Sequence, residues 1–169
     1  ADYLDAVDKV RDRMNTVEHF VALEGGKPGW LDYEQLLAAS DGVFERPSIA
    51  EGDLLSINYT SGTTSRPKGV MITHRNAWVN AIGTLAHLPM TPADRFLWTL
   101  PMFHANGWTY TWIVTAAAAL HVCLRQVDAT TVYRLVNQER ITMLCAAPTV
   151  LIAIASGPDR SILHHPLLP

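Results

Sequence analysis

Charge is scarce in this sequence and unevenly distributed. Asp, Glu, Lys and Arg make up 17% of the 169 residues, whereas about a quarter is typical of a domain. Residues 1–53 carry 12 acidic and 5 basic side chains, and residues 54–169 carry 4 acidic and 8 basic ones. The net charge of −3 offers no basic face, which argues against nucleic acid as a partner. We expect other protein to cover the charge-poor second segment, so the chain is interpreted as part of something larger.

Cysteine pairs, metal-ligand spacings and long apolar runs are also missing. Cys123 and Cys145 are isolated, and we expect both to be buried and inert in a reduced, cytoplasmic setting. The histidines form no HxxxH pair, so we predict no metal site made by protein alone. Residues 96–124 contain no charged side chain, but their purest apolar run, 112–120, is far shorter than the ~20 residues of a spanning helix. We therefore predict no transmembrane segment.

The sequence does contain an alternation of apolar strands and helices. In the second segment the predicted strands are 54–59, 70–74, 95–100, 121–125 and 141–146, and the predicted helices are 75–88, 108–120, 128–139 and a last one from Thr149. Near-continuous apolar strands separated by helices indicate a buried, mostly parallel sheet flanked by helices, so the fold class is α/β. This segment, 54–169, is predicted to be the α/β subdomain.

The first segment, 1–53, is predicted to be an N-terminal helix and strand portion of the same domain. Apolar residues at helical spacing predict an amphipathic helix over residues 3–14. A short strand is predicted at 19–23, and Asp32 is predicted to cap a helix that runs through Ala39.

The stretch YTSGTTSRPKG, residues 59–69, concentrates hydrogen-bonding capacity in one loop. Backbone N–H groups, short hydroxyls and a cation are what hold a polyphosphate, and glycine lets the backbone come close. The stretch does not match the P-loop of kinases and GTPases, because Pro67 stands where that pattern has glycine and Gly69 stands where it has Ser or Thr. Composition alone leaves an ordinary polar turn between two strands as an equal alternative.

The order of residues in this loop closely resembles the phosphate-binding signature of the acyl-adenylate-forming enzymes, which include AMP-dependent acyl-CoA synthetases, adenylation domains and luciferases. That signature is [YF]-T-S-G-[ST]-T-G-x-P-K-G, and Ser65 departs from it where glycine is usual. A second stretch, LPMFHANGWTYTW at 100–112, resembles the next signature of the family. The resemblance covers residues 54–155 well and residues 1–53 more loosely. The loop variant is similar to that of the branch acting on short- and medium-chain fatty acids or benzoate-like acids.

The resemblance implies roles for individual residues. The residues that match the positions around the β- and γ-phosphates of ATP are Thr60, Ser61, Gly62, Thr63, Thr64 and Lys68. The compact charge of Lys68 would offset that of the departing pyrophosphate. His104 matches a position that lies near the acyl carboxylate and gates the pocket, so Lys68 and His104 are the expected catalytic residues. Asn106, Gly107 and Trp108 are expected to flank the acyl pocket.

Two of these assignments have plainer interpretations. A lone histidine at a strand end, such as His104, is more often a satisfied polar group than a catalyst. The alternation of Trp108, Tyr110 and Trp112 is more typical of core residues than of ligand contacts.

The resemblance also implies a reaction in two halves, with ATP, Mg²⁺ and coenzyme A as cofactors. A carboxylate attacks the α-phosphorus of ATP to give acyl-AMP and pyrophosphate, and the thiol of coenzyme A then attacks the acyl carbon. Attack on phosphorus mainly needs alignment and charge stabilisation from protein. Medium-chain fatty acids are the first expected substrates and aryl acids such as benzoate the second.

Other signatures of the family do not occur in this sequence. They are a Thr-Glu pair for magnesium, an Asp for the ribose and a lysine from a small C-terminal domain. The chain is therefore interpreted as a fragment of the large N-terminal domain, without the C-terminal domain and inactive by itself. The alternative is a non-catalytic module that binds nucleotide or oligomerises. Exposed apolar surface is expected to favour self-association of the chain.

Overall fold

A computed structural model of the chain describes residues 3–60 and 66–157, and these form two units. The first unit ends at Ser48 and the second begins at Ile49. Residues 49–53 thus belong with the second unit, where Glu51 forms an ion pair of 2.7 Å with Arg75 and the carbonyl of Asp53 accepts a hydrogen bond from the amide of His74.

The first unit is small and is connected largely by polar contacts. It contains helix α1 (Leu4–Asp8), a 3₁₀ turn (Arg11–Arg13), strands β1 (Val21–Ala22) and β2 (Leu31–Asp32), and helix α2 (Tyr33–Ala39). The two strands pair in parallel, with Val21 opposite Leu31. The Asp32 carboxylate accepts a hydrogen bond from the backbone N–H of Gln35, so the predicted cap of α2 is confirmed.

The helix predicted over residues 3–14 is wrong in length, because α1 ends at Asp8. The apolar face that predicted it is not buried: Tyr3 is 80% exposed, and Val10 and Met14 are also exposed. A short helix owes most of its stability to the packing of such a face. Asp8 instead accepts hydrogen bonds from Lys27 and Trp30.

A β-hairpin and a helix open the second unit. Strands β3 (Leu54–Thr60) and β4 (Lys68–Thr73) pair in antiparallel fashion, so this strand–loop–strand element lies outside the parallel sheet. Helix α3 (His74–His87) follows directly. Thr73 and Asn76 form a capping box at its start, in which each side chain accepts a hydrogen bond from the backbone N–H of the other.

The rest of the second unit is built on a parallel three-stranded sheet. Its elements are β5 (Arg95–Trp98), the short segment α4 (Ala105–Trp108), whose backbone angles are left-handed, α5 (Tyr110–Ala116), β6 (Leu120–Cys123), α6 (Ala129–Gln138), β7 (Met143–Leu144) and α7 (Pro148–Ala155). The strand order is β6-β5-β7, and both pairings of β5 are parallel. The α/β fold class with a parallel sheet and helices is confirmed.

Strand β5 separates two apolar clusters, which explains why its sequence is apolar at consecutive positions. Phe96 and Trp98 pack on one side with residues of α5, where the ring of Tyr110 stacks on Phe96 at 4.7 Å between centroids. Leu97 packs on the other side with Val132 and further residues of α6. Both faces of the central strand are therefore buried, as in other parallel sheets.

Three predictions in this unit need correction. The helix predicted over 108–120 covers only α5, because the residues just before it have left-handed backbone angles. The strand predicted over 141–146 is limited to β7. Cys123 is exposed and Cys145 half-buried, so neither is the fully buried thiol expected; strand alternation places Val122 toward the core and Cys123 on the other face.

Candidate active site

The Thr/Ser-rich loop is closed at its base by a pair of residues across the hairpin. Thr60, the last residue of β3, lies opposite Lys68, the first residue of β4, and Tyr59 lies opposite Gly69. Thr60 and Lys68 are both exposed. Ser61, Gly62, Thr63 and Thr64, the other predicted phosphate-binding residues, lie outside the described residues. The hairpin thus brings the hydroxyl of Thr60 and the cation of Lys68 to the two ends of one loop.

The second motif forms a left-handed turn, which comprises Ala105–Thr109 and replaces the expected helix start. The five consecutive φ angles are 43°, 46°, 62°, 53° and 65°. A left-handed conformation costs roughly 1–2 kcal/mol for each residue other than glycine. His104 precedes the turn with extended backbone angles and is exposed. Such strain persists only where surrounding contacts hold it, and it is concentrated at functional sites.

Hydrogen bonds to neighbouring elements hold this left-handed turn in place. The Thr109 hydroxyl donates to Oδ1 of Asn80 on α3 at 2.6 Å. The hydroxyl of Thr111 on α5 donates to the backbone carbonyl of Asn106 at 3.0 Å. The turn is therefore held by α3, which precedes β5 in the chain, and by α5, which follows the turn directly.

Asn106 connects the left-handed turn to the hairpin. Its Oδ1 accepts a hydrogen bond from Oγ of Ser56 at 3.2 Å and another from Nδ2 of Asn58. Both donors lie on β3, a few residues before Thr60, and all three side chains are half-buried. The two predicted motifs, about 40 residues apart in the sequence, are thus joined through one side chain.

Gly107 is a buried residue of the left-handed turn, and a larger residue would not fit in its place. A Cβ at this position would lie 2.4 Å from Cζ3 and 2.8 Å from Cη2 of Trp98. Trp98 is itself only 4% exposed. Both the positive φ and the contact with the indole therefore demand glycine at position 107. The absence of a side chain there lets the turn pack directly on Trp98.

His121 holds Trp98 from its other end, and sequence reasoning missed it. The indole Nε1–H donates to Nδ1 of His121 at 3.0 Å, and the planes of the two rings are nearly parallel, at 4°. Nε2 lies 3.1 Å from Oγ1 of Thr115, whose own proton goes to the carbonyl of Thr111. These partners require a neutral imidazole with its proton on Nε2, and burial lowers the pKa of His121. The residue lies in an ordinary apolar strand, so only the spatial contact with Trp98 identifies it.

The structure separates the four residues predicted to form the acyl pocket. His104, just before the left-handed turn, and Trp108, within it, are exposed. Asn106 points its Oδ1 at the hairpin, and Gly107 is buried against Trp98. Trp108 is 48% exposed and is not a core residue, while Tyr110 is buried at 9% exposure as expected of core. His104 and Trp108 are thus the two of these four whose side chains are free to meet a ligand.

An apolar groove of about 770 Å³ lies elsewhere in the second unit. It is lined by residues 49–51, Leu55, the face of α3 around Trp78 and Ile82, and Trp112 and Ala116 of α5. None of the predicted site residues lines it. Its apolar walls do not suit a polyphosphate, so the loop rather than this groove is the candidate site for nucleotide.

The fold and the hairpin loop together define an α/β protein of the adenylate-forming class. The chain belongs to the AMP-binding enzyme family, whose family model matches residues 1–167. The matched range includes both units.

Curated relatives agree with this assignment. The chain is 44% identical over 139 residues to "Probable acyl-activating enzyme 9" of Arabidopsis thaliana, a match that covers 80% of this chain and 25% of the relative. It is 41% identical over 144 residues to "Acetate--CoA ligase CCL3" of Humulus lupulus, covering 84% and 25%. It is 45% identical over 117 residues to "4-hydroxybutyrate--CoA ligase 2" of Metallosphaera sedula, covering 69% and 21%. The chain therefore spans about a quarter of the length of these relatives.

Solved structures share the fold. A protein from Rhodopseudomonas palustris, proposed to be a long-chain-fatty-acid CoA ligase, superposes with a TM-score of 0.84 over 96% of this chain and 40% of its own, at 24% identity. O-succinylbenzoate coenzyme A synthetase of Bacillus subtilis, solved with ATP and magnesium ion, superposes with a TM-score of 0.70 at 22% identity over 92% of this chain and 34% of its own. These similarities establish the architecture.

Residues 3–60 and 66–157 contain neither a candidate membrane span nor a candidate metal cluster. None of the helices there is both long and apolar enough to cross a membrane. Nor do three or more His, Cys, Asp or Glu side chains in that part of the chain come together as a metal site.

Proposed function

We propose that this chain supplies the phosphate-binding hairpin of an AMP-forming acid–CoA ligase. The reaction joins a short-chain carboxylic acid to coenzyme A at the expense of ATP. The observation that carries the proposal is the closure of the Thr/Ser-rich loop by Thr60 and Lys68, together with its link through Asn106 to the turn that follows His104.

The chemistry that this chain contributes is alignment and charge stabilisation. In the first half-reaction a carboxylate oxygen bonds to the α-phosphorus of ATP and the bond to the β-phosphate oxygen breaks, which releases pyrophosphate. Lys68, an exposed cation at the loop base, is placed to offset the charge on the leaving group. Thr60 adds a hydroxyl at the opposite end of the loop. His104, exposed beside the left-handed turn, is proposed to contact the acid.

In the second half-reaction the sulfur of coenzyme A bonds to the acyl carbon and AMP leaves. Mg²⁺ bound with ATP would screen the negative charge of the phosphates. The hydroxyl and lysine at the loop base suit the phosphates themselves, whereas the described residues hold no acidic cluster for the metal. We therefore assign magnesium no ligand among residues 3–60 and 66–157.

The proposed substrate is a short-chain acid. Two of the relatives are named for acetate and for 4-hydroxybutyrate, which favours acids of two to four carbons over the medium-chain acids favoured by the loop variant alone. Benzoate-like acids are the next class to test. Since the chain spans a quarter of its relatives' length, we propose that residues outside this sequence also contribute to the pocket.

Because the chain spans only a quarter of its relatives' length, we propose that the chain alone does not catalyse the reaction. An interaction module without catalysis is the second candidate function, and the exposed apolar groove on α3 favours it. Self-association of the chain through that groove is part of this candidate. Affinity for ATP separates the two candidates, because an interaction module needs none.

We propose the cytoplasm as the location of the protein. Both cysteines are free thiols, which suits a reducing compartment. Cell fractionation with an immunoblot would test this.

The decisive experiment is acid-dependent exchange of labelled pyrophosphate into ATP by a full-length enzyme that carries this sequence. Acetate, butyrate, octanoate, palmitate and benzoate would be compared. We expect exchange with acetate or butyrate, and a loss of about 100-fold or more for Lys68→Ala. Arg66→Ala is the matched control, since it removes an exposed cation from the same loop at a position the signature leaves open. Equal losses in both variants, or exchange with none of the acids, would overturn the proposal.

A further inference from the structure

We propose that Asn106 is a positioning residue that couples the acid-binding side of the site to the phosphate-binding hairpin. This inference rests on the proposed function above. It changes the role given to Asn106 from a wall of the acyl pocket to the link between the two substrate sites.

The contacts of the side chain point toward the hairpin. Oδ1 of Asn106 accepts from Ser56 at 3.2 Å and from Asn58. Ser56 and Asn58 are two residues apart on β3, so they project from the same face of the strand. Both precede Thr60, where the phosphate loop begins. A movement of Asn106 is therefore passed to the strand that carries the loop.

The backbone of Asn106 is held from the other direction. Its carbonyl accepts from the Thr111 hydroxyl at 3.0 Å, and Thr111 lies on α5. Its φ of 46° and ψ of 49° are left-handed, a conformation that asparagine tolerates better than most residues. Asparagine at this position thus satisfies the backbone geometry and supplies the acceptor for the hairpin. The side chain and the backbone of one residue join two elements.

The consequence for catalysis is that the position of each substrate affects the alignment of the other. His104 lies two residues before Asn106, and Lys68 lies opposite the end of the strand that Asn106 holds. Alignment of the carboxylate with the α-phosphorus depends on the distance between these two groups, and small displacements are costly in such reactions. Loosening the link should therefore impair the use of both substrates.

Steady-state exchange kinetics in the full-length enzyme test this coupling from both sides. Asn106→Gly keeps the left-handed backbone accessible and removes only the acceptor. We expect about a tenfold loss in kcat/KM, with KM raised for ATP as well as for the acid, since two neutral hydrogen bonds are removed. The double variant Ser56→Ala/Asn58→Ala, which changes only the hairpin, should raise KM for the acid to a similar extent. Combining all three substitutions should add no further loss.

The controls separate coupling from general damage. Ser56→Thr retains the hydroxyl donor and should behave like the parent. Met71→Ala removes an exposed side chain from β4 of the same hairpin and should leave the kinetics unchanged. If Asn106→Gly raises KM for the acid alone, or if the losses of the two sides are additive, Asn106 is only a pocket residue and the inference is overturned.

Amide hydrogen exchange gives a readout that does not depend on activity. Asn106→Gly should reduce protection in residues 54–60 as well as in the left-handed turn, whereas a simple pocket residue would affect the turn alone. If the parent enzyme shows no acid-dependent exchange of pyrophosphate, the proposed function fails. The protection of β3 still decides whether the link exists, and unchanged protection there would overturn it.

Discussion

The two units of the chain are stabilised in different ways. In the second unit two apolar clusters lie on either side of β5, and side chains such as Phe96 and Leu97 are fully buried. In the described part of the first unit, residues 3–48, Ala22 is the one buried apolar residue. There Lys27 bridges Asp5 and Asp8, and the guanidinium of Arg11 lies 4.1 Å from the ring centre of Phe20. The comparison shows that apolar periodicity predicts structure well only where a partner surface buries the periodic face.

The largest expected difference between the units is in the unfolding free energy lost when one leucine in each is replaced by alanine. Leu97→Ala removes a side chain with 0% exposure and should cost about 2–5 kcal/mol of unfolding free energy, through lost burial and the cavity left behind. Leu37→Ala changes a residue that is 54% exposed in α2 and should cost less than about 0.5 kcal/mol. Urea denaturation followed by tryptophan fluorescence would measure both. Equal losses would mean that the first unit has a core of its own.

The extent to which sequence predicted structure follows the same division. In the second unit the order and type of helices and strands were predicted, since buried β5 and amphipathic α6 bear strong patterns. In the first unit the helix over 3–14 was too long, because its apolar face is not buried. Local rules still succeeded where they depended on neighbours in sequence, as with Asp32 at the start of α2.

The candidate site was predictable only in part, for a related reason. The residue types of the loop identify a phosphate binder, because backbone amides, hydroxyls and a lysine suit one chemistry. The left-handed turn was not predicted, since Ala105 and Trp108 have no local preference for positive φ. The roles of Gly107 and His121 depend on the position of Trp98, which is distant from His121 in sequence. Contacts of this kind arise from packing and leave no periodic signal.

An intermediate effect on stability is expected when two glycines are replaced by alanine. Both have left-handed backbone angles, but their surroundings differ. Gly107 has φ 62° and would place a Cβ 2.4 Å from the Trp98 indole, whereas Gly25 in the first unit has φ 67° and open space around it. Gly25→Ala should cost only the conformational strain, roughly 1–2 kcal/mol. Gly107→Ala should cost more, because the clash with a buried indole adds overpacking of about 1–3 kcal/mol.

Thermal unfolding of the two glycine variants, with near-UV circular dichroism to follow the tryptophan environment, would separate these terms. The Trp98 signal should change in Gly107→Ala and stay as in the parent in Gly25→Ala. Identical losses of stability in both would show that strain alone governs the turn.

The smallest effect on stability should come from a change in pH. The pH interval in which stability is lost should differ between the two units. Burial lowers the pKa of His121 below that of the unfolded chain, which is near 6.5. The folded state then binds fewer protons than the unfolded state as pH falls below 6.5, so the second unit should lose stability from there downward. The titration of one group, here His121, changes the free energy of unfolding by at most about 1.4 kcal/mol per pH unit. Partial exposure of the ring makes this pH dependence shallower.

The first unit should be insensitive over that range, because its perturbed groups titrate outside it: the pKa of Asp8 is lowered from 3.8 and hydrogen bonding to Asp5 and Asp8 raises the pKa of Lys27 from 10.5. Hydrogen bonding from Lys27, with a further bond from Trp30, lowers the pKa of Asp8 below 3.8. Its contribution to stability is present above pH 3.8 and is lost as pH falls through the folded-state pKa.

Amide exchange at pH 7.0 and 5.5, corrected for intrinsic rates, should show reduced protection in β5 and β6 at the lower pH, with little change in α1 and α2. His121→Asn, which keeps an acceptor for the Trp98 indole without a titrating ring, should abolish the pH effect. A pH effect that persists in this variant would assign it to another group.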